Sequence, residues 1–311
     1  MMYKKILVTG CGGDIGMSVG RILKEILPDA TIVGSEISSD HPGQFVYDSC
    51  IELPRVDAPD YLTRLKNAVR EHAIECIIPM SVPEILYFNK AGVRDVDGVP
   101  LIAPNKMALD VGQDKLMTNE FLQKHTLPYP WTRLVKDGPP PELPCIIKSR
   151  FGWGSRGVFL VDKDSVEYFS RTQPSDIWQE HLLPDEEEYT CGVYGTAGGD
   201  IRSIIMRRKL GGGHTVSGEV VDNTPIREVV EKFAHHLKLR GSINFQLRLT
   251  KKGPMIFEIN PRFSSTVMFR HMLGFKDVLW SLEENAGHVA STYTPPKIGT
   301  KFYKGNTEYI V

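Results

Sequence analysis

Cysteine is scarce in this chain. There are five, at positions 11, 50, 76, 145 and 191, far apart and with no Cys-x-x-Cys pair. That argues against a disulfide scaffold and against a zinc site, and fits a reducing cytosol. Charge of one sign is also missing. Lys plus Arg is 37 against 38 Asp plus Glu, so no global positive field draws in nucleic acid or an anionic membrane. An anionic ligand must be held by a local cluster. No apolar run has the length of a membrane span, and the stretch from Ile6 to Val8 is too short for a signal peptide. There is no internal repeat and no low-complexity block. With 311 residues, 41% of them apolar, the chain is long enough for two or three small domains sharing one site.

The first hundred residues alternate strand and helix patterns. Strands are expected at 6–9, 31–35, 74–79 and 99–103. Helices are expected from Ile15 to Leu27, Tyr61 to His72 and Pro83 to Ala91. Such βαβ repeats imply a parallel sheet covered by helices. After a boundary near Pro104 the pattern changes. A helix at 115–125 precedes strands at 145–148, 158–161, 177–180, 189–195, 201–208, 243–249 and 255–260. Helices at 227–237 and 278–286 complete an α+β pattern. The tail from Ser291 reads as a final strand or a loosely attached end.

Three motifs carry chemistry. Gly10, Gly13 and Gly16 follow a strand and open a helix, and Glu36 ends the next strand, a spacing similar to short-chain dehydrogenases. The structural reading, a tight turn with close helix–sheet packing, is favoured. Those dehydrogenases also need a Tyr with a Lys four residues on. Here that spacing occurs at Tyr293 and Lys297 alone, across Pro295 and Pro296, where a helix would be broken.

In the second motif a strand delivers Lys148 into a loop holding Gly152, Gly154, Ser155 and Gly157 together with Arg150 and Arg156. Flexible backbone and positive charge suit a loop that folds over phosphates.

The third is a hairpin from Asn244 to Arg262. Phe245, Leu247 and Leu249 share one face, and Asn244, Gln246 and Arg248 the other. In the return strand Phe257 and Ile259 are expected on the apolar face, Glu258 and Asn260 on the polar one. A three-residue loop ending at Gly253 would place Gln246 opposite Glu258. Glu258, Asn260 and Gln246 then form a hard-oxygen site suited to Mg²⁺, with Arg262 beside it.

The segment Phe-Glu-Ile-Asn-Pro-Arg-Phe-Ser, residues 257–264, resembles the metal-binding strand of ATP-grasp enzymes, and is most similar to the carbamoyl-phosphate synthase large-subunit group and its stand-alone relatives. The resemblance covers roughly residues 1–288. It implies a Rossmann-like pre-ATP-grasp domain (1–104), then a two-lobed ATP-grasp domain (105–290, with a lid subdomain at about 128–184) and a C-terminal tail (291–311), α/β followed by α+β. It implies ATP with Mg²⁺, or Mn²⁺ in its place. Lys115, Lys148 and the glycine loop would hold the phosphates. Glu180, His181 and Leu182 would meet adenine, and Glu188 the ribose. Gln246, Glu258 and Asn260 would hold the metal. Arg262 would stabilise the transferring phosphoryl group, and Arg207 or Arg208 would orient a carboxylate. The expected activity is a carboxylate–amine or carboxylate–ammonia ligase working through an acyl-phosphate. An ATP-grasp-type kinase and an NAD(P) dehydrogenase are the alternatives. The expected partners are small-molecule carboxylates and amines, with no nucleic acid or membrane and with room for a homodimer, in the cytoplasm. The chain lacks the further C-terminal domains of biotin carboxylases and the second half of the large synthase, so bicarbonate chemistry is not implied.

Overall fold

The computed structural model describes residues 2–152, 157–305 and 309. Its N-terminal part contains β1 (Lys5–Thr9), α1 (Asp14–Ile26), β2 (Thr31–Glu36), β3 (Ser49–Glu52), α2 (Tyr61–Glu71), β4 (Cys76–Ile78), α3 (Val82–Ala91), and the two-residue strands β5 (Asp95–Val96) and β6 (Val99–Pro100). β3, β2, β1 and β4 form a parallel sheet in that order. Ile6, Val8, Ile32 and Ile78 pack on the α1 side, while Leu7, Val33 and Ile77 pack towards α2 and α3. Burial on both faces is why these strands read as unbroken apolar runs.

Two expectations change here. β3 had no expected counterpart, because an edge strand of four residues carries little periodic signal. The strand expected at 99–103 is instead one arm of a tiny hairpin closed by Asp97 and Gly98, both at positive φ. Only Leu101 continues to the main sheet, bridging Ile77.

Two helices follow, α4 (Lys106–Gln113) and α5 (Lys115–Lys124), joined at Asp114. The Asp114 carboxylate caps α5 by accepting from Leu116 and Met117 N–H groups, which satisfies donors that a helix start leaves free. Next come β7 (Thr132–Leu134), β8 (Cys145–Lys148), β9 (Phe159–Val161), α6 (Val166–Thr172) and β10 (Ile177–Glu180). They build a four-stranded antiparallel sheet, β7-β10-β8-β9, around buried Ile147, Val161 and Trp178.

The largest sheet is antiparallel, in the order β15-β14-β11-β12-β13-β16. Its elements, with the helices between them, are β11 (Glu188–Gly195), β12 (Ile201–Gly211), β13 (His214–Val220), α7 (Thr224–His236), β14 (Gly241–Thr250), β15 (Gly253–Asn260), α8 (Val267–Met272), α9 (Asp277–Asn285) and β16 (Lys301–Tyr303). The tail therefore contains a paired strand. One face, with Cys191, Val193, Ile243, Phe245, Leu247 and Ile259, packs with residues of α4 and α7 around Phe233. The opposite face is divided. Tyr194, Ile204 and Met206 are covered by Phe269, Phe275 and Trp280. Glu188, Arg208, Gln246, Arg248 and Glu258 are left to line a cleft beneath the smaller sheet. No helix among the described residues is long and apolar enough to cross a membrane.

Candidate active site

The hairpin that carries the site is built differently from its sequence expectation, yet places its residues as expected. The turn is Lys251-Lys252, because Thr250 already pairs with Gly253. A two-residue turn shifts the register by one. The shift is cancelled at Phe257, an extra residue between the pairs Leu247–Ile256 and Gln246–Glu258. Gln246 thus lies opposite Glu258, and Asn244 opposite Asn260.

The bulge also moves Phe257 out of the alternation. Ile256 and Ile259 face the core, while Phe257 lines the cleft. This corrects the expected core position of Phe257. An unpaired bulge residue leaves its carbonyl free, and Lys148 Nζ takes it at 3.0 Å, with the ammonium also 5.3 Å from the Phe257 ring centroid.

The cleft between the two sheets encloses about 250 Å³. Its floor is a chain of ion pairs. Glu188 accepts from Arg208 on one oxygen, at 2.7 and 3.1 Å, and from Arg248 on the other at 2.7 Å. Arg208 also donates to Gln246 Oε1 at 2.8 Å and Thr215 Oγ1 at 3.4 Å. At the hinge, Glu180 accepts from Lys252 at 2.8 Å and from the Trp131 N–H at 3.3 Å. Arg248 reaches the Leu182 carbonyl, and His181 Nδ1 is buried without a partner.

Towards the end of β15 the balance changes. Lys148 is buried, and its ammonium pKa falls from 10.5 to about 7. Desolvation is the main cause; Lys115 adds to it, and Glu258 and Glu188 offset only part. Lys115 donates to the Gly152 carbonyl, and burial lowers its pKa too, against Glu258, Asp114 and Asp176. Arg262 falls to about 10 through burial, opposed by Glu258. Its Nη1 donates to the Phe263 carbonyl at 2.7 Å, and its Nε has no partner. Glu258 and Asn260 stand beside one another, Asn260 Nδ2 lying 3.4 Å from Glu258 Oε1. Three cations therefore surround one carboxylate and one amide.

The same architecture occurs among known proteins. A family profile described as "ATP-grasp in the biosynthetic pathway with Ter operon" matches residues 176–305. The biotin carboxylase domain of the Hydrogenobacter thermophilus 2-oxoglutarate carboxylase superimposes with a TM-score of 0.73 at 18% identity, over 97% of this chain and 74% of that one. The D-alanine–D-alanine ligase of Rhodococcus jostii is 24% identical over 222 residues. Over residues 176–305 the chain is thus similar to ATP-grasp proteins. It spans about 60% of the length of that ligase, which aligns to 59% of this chain. The carbamoyl phosphate synthase large chain of Vibrio cholerae is 24% identical over 204 residues, 58% of this chain and 19% of the synthase. An N5-carboxyaminoimidazole ribonucleotide synthetase bound to ADP superimposes with a TM-score of 0.71 at 15% identity, over 96% of this chain and 80% of that one.

Lys148, Glu180, His181, Leu182, Glu188, Arg208, Gln246 and Glu258 line one cleft. Lys115, Gly152, Asn260 and Arg262 line a smaller space that shares Glu258 with it. Gly157 is exposed at positive φ beyond the loop, and Gly154 and Ser155 lie outside the described residues.

Three expected roles need revision. Arg208 is buried and bound to Glu188 and Gln246, so it is committed to the floor and does not face a substrate carboxylate. The Gln246 oxygen is held by that guanidinium, which disfavours a metal cation on the same atom. Arg150, offered for phosphate, is instead held bidentately by Asp114 at 2.6 to 3.0 Å. Sequence reading missed Arg248 as the second partner of Glu188; its signal was its place beside Gln246 on the polar face. The N-terminal glycine turn is structural in character: Gly10 has φ +60, and a Cβ at Gly16 would sit 2.2 Å from the Gly10 carbonyl oxygen. The Gly12 N–H is directed at Glu36, 3.3 Å away.

Proposed function

We propose that this chain is an ATP-grasp protein, an ADP-forming carboxylate–amine or carboxylate–ammonia ligase, with residues 105–290 as its ATP-grasp domain and residues 1–104 as a Rossmann-like domain preceding it. One observation carries the reading: Lys148, Lys115 and Arg262 converge on Glu258 and Asn260 with less negative charge than they need. A polyphosphate supplies the missing charge.

Adenine would lie against the Glu180–Leu182 hinge, with the unpartnered His181 Nδ1 available to it. Glu188 has both oxygens engaged by arginines, so a ribose hydroxyl would share an oxygen with them. Glu258 and Asn260 offer hard oxygen donors, as magnesium requires. The bound ion neutralises phosphate charge, as it does in phosphoryl transfer generally.

Lys148 and Lys115 would then position the terminal phosphate, and Arg262 would face the charge that develops as a substrate carboxylate attacks it. The resulting acyl-phosphate is consumed by a nitrogen nucleophile. The loop around Gly152 stands where closure would keep water away. Substrates are a small carboxylate and an amine or ammonia.

The test is to screen carboxylates for ADP release, then to add hydroxylamine. A ligase yields a hydroxamate with stoichiometric ADP. A carboxylate that drives ADP formation but gives a stable phosphorylated product and no hydroxamate would replace the ligase reading with a kinase.

A further inference from the structure

Two of the five cysteines, far apart in sequence, are brought together by the fold. Cys11 lies in the turn after β1, Cys50 on the edge strand β3, and His41 in the loop between β2 and β3. Their ligand atoms all lie within 4.8 Å of one another, and Cys11 Sγ is 4.0 Å from His41 Nδ1. None of the three lines the cleft between the two sheets. We propose that Cys11, His41 and Cys50 form a second, separate metal site for a thiophilic ion, with Zn²⁺ the best match.

Donor chemistry and spacing agree with this. Two thiolates and an imidazole are soft to borderline ligands, which select zinc over magnesium or calcium. Tetrahedral zinc with bonds of about 2.0–2.3 Å places neighbouring ligand atoms roughly 3.5–4 Å apart. The cluster needs to contract by at most about 1.3 Å to reach that spacing.

A second observation is independent of the distances. Glycines stand at three points where a side chain would displace a ligand. A Cβ at Gly34 would lie 2.7 Å from Cys11 Sγ, one at Gly12 would lie 2.8 Å from His41 Cβ, and one at Gly43 would lie 2.8 Å from His41 Nδ1. The backbone is cleared around these two side chains from three directions.

Cys11 is buried while His41 and Cys50 are partly exposed, so an ion can arrive from the solvent side and keep a fourth position open to water. The ion would tie the glycine turn, the 37–48 loop and the edge strand into one unit.

Cobalt(II) reports such a site without reference to activity. The full-length protein, kept reduced with a non-chelating phosphine, is titrated with Co²⁺ and then with Zn²⁺. We expect a thiolate-to-cobalt charge-transfer band that saturates at one ion per chain and disappears when zinc is added. In Cys50→Ser the band should weaken severalfold. In His41→Gln it should persist with shifted visible transitions and weaker binding. Circular dichroism checks that both variants are folded; both residues are partly exposed, so both changes should be tolerated. Absence of the band in reduced, folded wild type would overturn the proposal. So would a band that both variants retain unaltered.

Discussion

The two ends of the cleft are built on opposite electrostatic principles. At the floor, Glu188 lies between Arg208 and Arg248, and every charged group has a short, well-directed partner. At the end of β15, Lys148, Lys115 and Arg262 outnumber Glu258, and burial lowers the pKa of each of the three. Groups at both ends are buried, Glu188 and Arg208 at one and Lys148 and Lys115 at the other, so the difference is not one of solvent access alone. The first has its charges paired without a ligand and gives the cleft its shape. The second is left short of negative charge, as a site for an anion must be. Perturbed groups of this kind concentrate where chemistry is done.

If that contrast is right, the two ends respond oppositely to substitution. The largest loss of stability should come from the floor. Glu188→Gln leaves two guanidiniums side by side with no carboxylate, and breaking a buried pair in this way costs about 3–5 kcal/mol. Chemical denaturation measures it. A loss below about 1 kcal/mol would mean that the arginines rearrange at little cost and the floor is not a scaffold.

At the other end, Lys148→Met should lower ATP turnover by about 10²–10³-fold, as when one preorganised group facing substrate charge is lost. The variant should nonetheless melt no lower than wild type, since a poorly compensated buried cation is removed. Unfolding of this variant would place Lys148 with the floor instead.

The third expectation is a pH dependence with a definite sign. Lys148 has a pKa of about 7 when folded and 10.5 in its ordinary state. Between those values the unfolded chain holds the extra proton, so this group makes stability rise with pH across the window, by up to about 1.4 kcal/mol per pH unit. Below about pH 7 both states are protonated and the slope vanishes. The stability difference between wild type and Lys148→Met, followed from pH 6 to pH 9, isolates the effect. A flat difference would show that the lysine is not depressed.

The finest distinction, a difference in cost between adjacent residues, separates neighbours on one strand. Ile256→Ala and Ile259→Ala, both in the core, should each cost about 2–5 kcal/mol. Phe257→Ala, at the bulge, should cost less than either and should instead weaken nucleotide binding, because its ring packs beside the Lys148 ammonium. Large losses for Phe257→Ala and Ile259→Ala with a small one for Ile256→Ala would restore the plain alternating strand.

This strand also shows what the sequence could and could not reveal. The period-two pattern of Asn244 to Leu249 identified the faces of β14 because that strand is regular. The partner of Gln246 was also found, although the turn assumed was one residue too long. A bulge at Phe257 compensated, and nothing in the composition around Phe257 announces a bulge. The three-residue loop at 251–253 and the two-residue turn at Lys251-Lys252 are equally compatible with the Lys-Lys-Gly sequence. The pairings of Arg208 with Gln246 and of Arg150 with Asp114 were not legible, since partners far apart in sequence are set by packing. The strand β13 was missed because His214 to Val220 mixes glycine, serine and glutamate with its apolar residues. The meeting of Cys11, His41 and Cys50 depends on β3, an edge strand too short to be seen in advance.

The central claim is that the uncompensated lysines are held for a nucleotide polyphosphate, and proton linkage tests it most directly. If Lys148 is largely neutral at pH 8 in the free protein and becomes charged beside phosphate, binding must take up a proton. Isothermal calorimetry with a non-hydrolysable Mg-ATP analogue, repeated in buffers of different ionisation enthalpy at pH 8, measures that number. The account requires uptake of about one proton per nucleotide in the wild type and almost none in Lys148→Met. Tight binding with no uptake in the wild type, or equal uptake in both proteins, would contradict it.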